Sequence, residues 1–281
     1  MSLLTFFSGL FGWIYTFCWS ASFYPQLILN LRRKSTSGTT VDFPFINVLG
    51  FVAYFVSNVA FYYSPLIRSQ YAARHNDLTP TVQFNDITFA LHASVISAIT
   101  LSQYLLRTLW GFAPSTGTRP SRFIVGVALG CLFGVVATYL IVASEAAKGP
   151  IDPATDWCEL DIIYAVGYVK LLITLIKFTP QVLANYSNQS TKGWSIWQIT
   201  LDFAGGGLST GQQCIDSYLQ RDWSGITGNP VKFALGNVSM VYDCVFFAQH
   251  YIFYRGSHSK DRSEEDALLG DEEQQRRRRL D

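Results

Sequence analysis

The sequence lacks the residue patterns on which enzymes and metal proteins depend. Its five cysteines form no CxxC pair, and neither His92 nor His250 has a second histidine, a cysteine or a carboxylate at metal-ligand spacing. No serine, histidine and aspartate set and no phosphate-binding glycine loop can be recognised. We therefore expect no enzymatic activity, no cofactor and no metal site.

The sequence also lacks a cleavable leader and the regular apolar spacing of half-buried soluble helices. Residues 1–19 have no basic start and no small-residue cleavage site, so the first apolar stretch is predicted to be a membrane helix. Hydrophobic residues make up 49% of the chain and occur in long blocks. A bilayer core about 30 Å thick needs about 20 apolar residues per helix. Seven stretches are predicted to span it: residues 7–31, 43–64, 84–110, 122–144, 160–183, 195–218 and 232–254.

Lysine and arginine are distributed unevenly between the connections on the two sides of the predicted helices. One set of alternate connections carries fourteen of these residues and the other carries five. Basic residues accumulate in cytosolic loops. The bias therefore predicts a multi-pass protein with a lumenal N-terminus and a cytosolic C-terminus.

The chain contains an internal repeat. At an offset of 155, residues 25–50 align with residues 180–205, with identical residues at seven of the 26 positions. Both copies lie at the end of an odd-numbered predicted helix, and such helices cross the membrane in the same direction. The two repeats are therefore predicted to be parallel. The predicted fold is an all-α membrane protein of seven transmembrane helices, in which a linker helix joins two three-helix repeats (3+1+3). The divisions are residues 1–110 for the first repeat, 111–159 for the linker helix and lumenal loop, 160–256 for the second repeat and 257–281 for a disordered cytosolic tail.

A Pro-Gln pair followed by Asn, a polar or basic loop, Ser-Thr and Gly occurs twice, beginning at Pro25 and Pro180. This pattern resembles the repeat of the PQ-loop family. Segments 23–35, 85–89, 177–181, 192–196, 201–206 and 242–247 are similar in particular to the cystinosins, a family of lysosomal cystine exporters. The resemblance implies proton-coupled export of cystine from a lysosome or vacuole to the cytosol. The alternatives are a PQ-loop transporter of cationic amino acids or sugars, and a seven-helix cargo receptor.

Ionisable side chains in a bilayer usually face a cavity or one another. Asp202 is predicted near the midplane of the sixth helix, and its equivalent in the first repeat is Asn47. Cystine carries two carboxylates and two ammonium groups, so its site needs cations, a carboxylate, amides and aromatic surface. The predicted substrate-binding residues are Trp19, Asn47, Lys170, Asn185, Asp202 and Lys232, and Lys177 lies elsewhere on the pathway. Lys232 is included because of the resemblance, although a lysine at a helix end also snorkels to the interface.

Three carboxylates are predicted to couple transport to protons: Asp86, Asp202 and Asp243. Each has a structural alternative. For Asp202 the alternative is a hydrogen bond between helices, for Asp243 a pair with Lys170 or Lys177, and for Asp86 an interaction with the dipole of the helix it begins. The resemblance to an Asn-Asp-x-x-Phe motif favours proton handling for Asp86.

Two further sets of residues are predicted to control movement and sorting. A proline inside a helix removes a backbone donor and kinks the helix. Pro25 with Gln26, and Pro180 with Gln181, are therefore predicted to form symmetric hinges or gates. In the tail, Glu264, Leu268 and Leu269 fit an acidic dileucine signal, which cytosolic clathrin adaptors recognise on lysosomal or vacuolar proteins.

Overall fold

The computed structural model describes residues 3–75, 77, 79–80, 82, 84–113, 119–220 and 230–255. Regular secondary structure in these residues is helical. The helices are α1 (Leu3–Ser22), α2 (Tyr24–Arg33), α3 (Asp42–Tyr63), α4 (Pro65–Arg74), α5 (Phe84–Leu105), α6 (Arg122–Ala146), α7 (Glu159–Ile176), α8 (Thr179–Asn188), α9 (Ile196–Gln220) and α10 (Pro230–Phe247), which continues into a π-helix (Ala248–Phe253).

The predicted apolar stretches all correspond to helices. Within the described residues, five segments are long and apolar enough to cross a membrane: Leu3–Arg33, Asp42–Tyr63, Asp86–Leu105, Arg122–Ala146 and Glu159–Asn188. The sixth and seventh predicted stretches are α9 and α10 with its π-helix, and they are not among these five. Helix α9 is more polar than these five and contains Gln198, Asp202 and Gln212, whereas α10 lies partly outside the described residues.

The two predicted kinks are present. Helix α1 gives way to α2 at Phe23, and α7 gives way to α8 at Lys177 and Phe178. Each break precedes a proline, because the proline ring clashes with the carbonyl group four residues earlier and supplies no backbone donor. The short helices α2 and α8 both end in a left-handed residue, Lys34 and Gln189, each with φ 48°.

The two repeats pack against each other in a reciprocal way. The first helix of one repeat lies on the second helix of the other, so that α1 packs on α9 and α7 packs on α3. The linker helix α6 lies outside this arrangement, mainly against α7. A cluster of aromatic rings closes the seam between the repeats, with Phe43 stacked on Phe178 and Trp194 stacked on Phe246. This arrangement leaves a cavity between the repeats.

Candidate functional site

The cavity lies between helices of both repeats and has a volume of about 190 Å³. A water molecule occupies roughly 10–15 Å³ on this measure, so the space corresponds to about a dozen waters or a small organic molecule. Aromatic side chains form much of its wall, including those of Tyr15, Phe51, Tyr54 and Phe89. Six residues predicted from the sequence also line it: Trp19, Asn47, Asp86, Lys170, Lys177 and Asp202.

Two lysine side chains bring positive charge to the cavity wall. Lys170 Nζ lies 3.5 Å from the centroid of the Phe51 ring, and Lys177 Nζ lies 4.4 Å from the centroid of Phe178. These cation–π contacts help to offset the cost of burying the ammonium groups. Among the described residues the only ion pairs are those of Arg74 with Asp161 and of Lys148 with Glu145. The two cavity lysines can therefore receive the carboxylates of a ligand.

The three predicted proton-coupling carboxylates occupy different environments. Asp202 lines the cavity and interacts electrostatically with both lysines without forming an ion pair. Asp243 is fully buried, and neither of its oxygens has a hydrogen-bond partner among the described residues. The alternative of a direct pair between Asp243 and Lys170 or Lys177 is thus not present. Asp86 lies in the first turn of α5, as the helix-dipole alternative expects, and it also lines the cavity, as the proton-coupling prediction expects.

The predicted amide and aromatic residues do not all reach the cavity. Asn47 donates to Ser97 Oγ at 3.0 Å, and its buried Oδ1 has no hydrogen-bond partner among the residues described. The Trp19 ring meets that of Tyr15 edge to face, with centroids 5.0 Å apart. Asn185 lies away from the cavity wall, where its Nδ2 donates to Gln249 Oε1 at 3.0 Å.

Four predicted residues lie partly or wholly outside the described part of the chain. Lys232 belongs to α10, but its side chain lies outside the described part of the chain. Glu264, Leu268 and Leu269 lie wholly outside the described residues.

The glutamines of the two Pro-Gln pairs bind the opposite repeat. Gln26 Nε2 donates to the carbonyl oxygen of Gly193 at 2.9 Å, and Gln26 Oε1 accepts from the Ser195 amide at 2.8 Å. In the same way, Gln181 donates to the carbonyl oxygen of Gly38 at 3.4 Å and accepts from the Thr40 amide at 3.2 Å. We call these two sets of contacts the reciprocal clamp. They hold the loop of each repeat against the other at the end of the bundle predicted to face the cytosol.

Two glycines make the reciprocal clamp possible. Gly38 and Gly193 have φ values of 86° and 92°, which residues other than glycine rarely adopt. A Cβ atom on Gly38 would overlap the carbonyl oxygen of Lys192, and one on Gly193 would overlap that of Ser37. The two loops therefore cross at backbone contact distance.

A second pair of glutamines supports the clamp and was not predicted. Asn30 Nδ2 donates to Gln103 Oε1 at 2.8 Å, which is the counterpart of the bond from Asn185 to Gln249. Gln103 and Gln249 in turn donate to the carbonyl oxygens of Leu27 and Val182. The sequence signal was the occurrence of a glutamine near the end of the third helix of each repeat. Their separation differs from 155, so the alignment of the repeats does not pair them.

A bundle of two parallel repeats, each with its first helix broken at a Pro-Gln pair, defines the class of PQ-loop membrane proteins. The family model described as "PQ loop repeat" matches residues 7–67 and 162–222. The two matches begin 155 residues apart, as in the alignment of the chain with itself.

Within this class, the chain is similar to proteins named as cystinosins and cystine transporters. The chain is 39% identical to "Cystinosin" of Drosophila melanogaster over 92% of this chain and 61% of that protein. It is 37% identical to "Cystinosin homolog" of Dictyostelium discoideum over 92% of this chain and 86% of that protein. It is 24% identical to "Cystine transporter" of Saccharomyces cerevisiae over 88% of this chain and 94% of that protein. The chain thus spans about three fifths of the length of the Drosophila protein.

The chain belongs to the cystinosin family of PQ-loop proteins. This membership confirms the resemblance predicted from the sequence and the class of all-α, multi-pass membrane proteins with PQ-loop repeats. It also confirms the expectation that the chain belongs with transport proteins and not with enzymes.

Proposed function

We propose that the protein exports cystine from the lumen of an acidic organelle, a lysosome or vacuole, to the cytosol. The observation that carries this proposal is that Lys170, Lys177 and Asp202 all line one small cavity with aromatic walls. Two ammonium groups match the two carboxylates of cystine, and Asp202 can accept a bond from one of its ammonium groups. The name of the Saccharomyces relative supports the choice of cystine.

Protons drive the proposed export. Asp243 is buried and has no hydrogen-bond partner in the described part of the chain, and an unpaired carboxylate in such a position is costly to keep charged. Asp202 lies beside the proposed substrate and Asp86 at another part of the cavity wall. Protonation on the lumenal side and release to the cytosol would couple to cystine if both ligands favour the same conformation.

Alternating access is the proposed mechanism, and the reciprocal clamp is the proposed gate. With the clamp formed, the loops of the two repeats are in contact at the end predicted to face the cytosol. The breaks before Pro25 and Pro180 are the proposed hinges, because backbone there is already released from regular helical bonding. Opening towards the cytosol then requires both halves of the clamp to separate.

Other cargo fits the cavity less well. A substrate with net positive charge would be repelled by Lys170 and Lys177, and a sugar would leave both ammonium groups without an anionic partner. A cargo receptor for proteins needs an exposed binding surface, whereas Lys170, Lys177 and Asp202 line an internal cavity. Cystine therefore remains the substrate that the charges support best.

Uptake into proteoliposomes tests the proposal. Purified protein in proteoliposomes should take up labelled cystine from an acidic outer medium into a more alkaline interior faster than it does without a pH gradient. Labelled arginine and glucose, each supplied alone, should move no faster than in protein-free vesicles. Transport of arginine or glucose but not cystine would change the assigned cargo, and transport of none of the three would favour a receptor.

A further inference from the structure

Two glycines occupy equivalent positions at the contacts between the repeats. Gly50 in α3 and Gly205 in α9 are aligned by the repeat offset, and each receives a side chain from the first helix of the other repeat. Gly50 lies against Ile173 of α7, and Gly205 lies against Trp19 of α1. The same close approach therefore occurs twice, with a different neighbour each time.

The two neighbours face different surroundings. Ile173 is fully buried in an apolar cluster with Ile46 and Ile124, away from the cavity. Trp19 and Asp202 both line the cavity, and Gly205, against which Trp19 lies, is about one helical turn from Asp202 on α9. Only the contact at Gly205 thus involves a wall of the proposed substrate site.

We propose that Gly205 is a positioning residue that lets the Trp19 indole lie close against α9 and so holds the cavity open beside Asp202. This inference rests on the proposed cystine transport. A Cβ atom at position 205 would lie 2.6 Å from Trp19 Nε1 and 3.0 Å from Trp19 Cγ. Both distances are too short for non-bonded atoms, so the indole would have to move.

The indole has little room to move without narrowing the cavity. The indole also meets the ring of Tyr15 edge to face, and that ring lines the cavity too. The atoms near Gly205 include Cγ at the base of the ring, so a small rotation of the ring tip does not relieve the contact. A side chain at position 205 therefore pushes aromatic surface into the space that the substrate occupies.

Three alanine variants separate positioning from packing. Gly205→Ala should raise the KM for cystine about tenfold and leave the maximal rate less affected, because the space for the substrate shrinks. Gly50→Ala places its Cβ 2.9 Å from Ile173 Cγ2, so it should lower the unfolding temperature without changing KM. Gly207→Ala is the control on the same helix as Gly205. A Cβ atom at position 207 would meet no other described atom within 4 Å, so neither the KM nor the unfolding temperature should change.

A double-mutant cycle tests whether Gly205 acts through Trp19. Gly205→Ala should lower the unfolding temperature in the parent protein but not in a Trp19→Ala background, because the overlap disappears with the indole. An unchanged KM in Gly205→Ala would overturn the inference, as would an equal loss of stability in the two backgrounds. If the parent protein does not transport cystine, the proposed function fails, while the stability cycle still decides whether Gly205 positions Trp19.

Discussion

The guanidinium of Arg74 and the carboxylate of Asp161 form a two-pronged ion pair, with Nη1 2.6 Å from Oδ1 and Nη2 3.2 Å from Oδ2. Arg74 ends α4 and Asp161 lies in the first turn of α7, so the pair joins the two repeats. The hydrogen bond with Asp161 raises the pKa of Arg74. The same guanidinium also donates to the carbonyl oxygens of Pro153 and Asp156.

Removing this guanidinium should destabilise the protein. Arg74→Ala leaves a carboxylate and two carbonyl oxygens without their donor, which we expect to cost about 1–3 kcal/mol. Arg74→Lys should restore only part of the loss, because an ammonium group cannot reproduce the planar fork. Thermal unfolding in detergent measures both variants. Arg68→Ala is the matched control on the same helix, where an exposed arginine makes a single bond to the Tyr62 carbonyl oxygen. A loss in Arg68→Ala as large as in Arg74→Ala would contradict the role given to the ion pair.

The reciprocal clamp predicts equal effects in the two repeats. Gln26→Ala and Gln181→Ala each remove two hydrogen bonds to the opposite repeat, each worth about 0.5–1.5 kcal/mol. We expect cystine transport to slow several-fold in both variants while the protein remains folded. Transport and thermal unfolding should be measured together. Gln189→Ala serves as the control, because among the described residues that side chain donates only to the Tyr186 carbonyl oxygen of its own helix α8. Parent rates in both clamp variants would exclude a gating role.

Replacing each carboxylate by an amide tests the coupling to protons. Asp86→Asn, Asp202→Asn and Asp243→Asn resemble the protonated side chain and cannot titrate. The variant at the coupling position should still bind cystine and exchange it across the membrane, yet lose most of the acceleration of net transport by a pH gradient. Asp243→Asn is the leading candidate, because its carboxylate is fully buried and unpaired in the described structure. Proton-driven transport that persists in all three variants would show that these carboxylates are structural.

The dileucine pattern of the tail predicts how the protein is sorted. Leu268→Ala combined with Leu269→Ala should move part of the protein from lysosome or vacuole to the cell surface. Glu264→Ala should have a weaker effect of the same kind, since the carboxylate only precedes the two leucines. Microscopy of tagged variants and surface labelling provide the measurement. If the double variant remains on its organelle, the sorting signal lies in another part of the chain.

Hydrophobicity and repetition were sufficient to predict the backbone. Long apolar blocks gave the limits of the helices to within a few residues, and Pro25 and Pro180 marked the breaks. The prediction missed α4, a short helix of ten residues that is too polar to form an apolar block. The sixth and seventh predicted stretches correspond to α9 and to α10 with its π-helix, parts of which lie outside the described residues.

Side-chain partners could not be predicted in the same way. The sequence placed Asp202, Lys170 and Lys177 in the membrane, and the structure brings all three to one cavity. Asn185 was also assigned to substrate, but its chemistry alone cannot distinguish a ligand contact from a bond to Gln249. Contacts between the repeats depend on how two helices cross, and spacing along one helix does not specify that crossing. Trp19 against Gly205 is such a contact.

The reciprocal clamp has the character of an isologous interface. Each repeat supplies both the glutamine and the loop that receives the other glutamine, so the surface is complementary to itself. Two copies of a single repeat would therefore possess every donor and acceptor that the clamp requires. The linker helix α6 contributes no bond to the clamp among the described residues. Helix α6 instead reverses the direction of the chain between the two repeats. Two parallel repeats can therefore be encoded in one polypeptide and differ in sequence, as they do at the aligned positions Asn47 and Asp202.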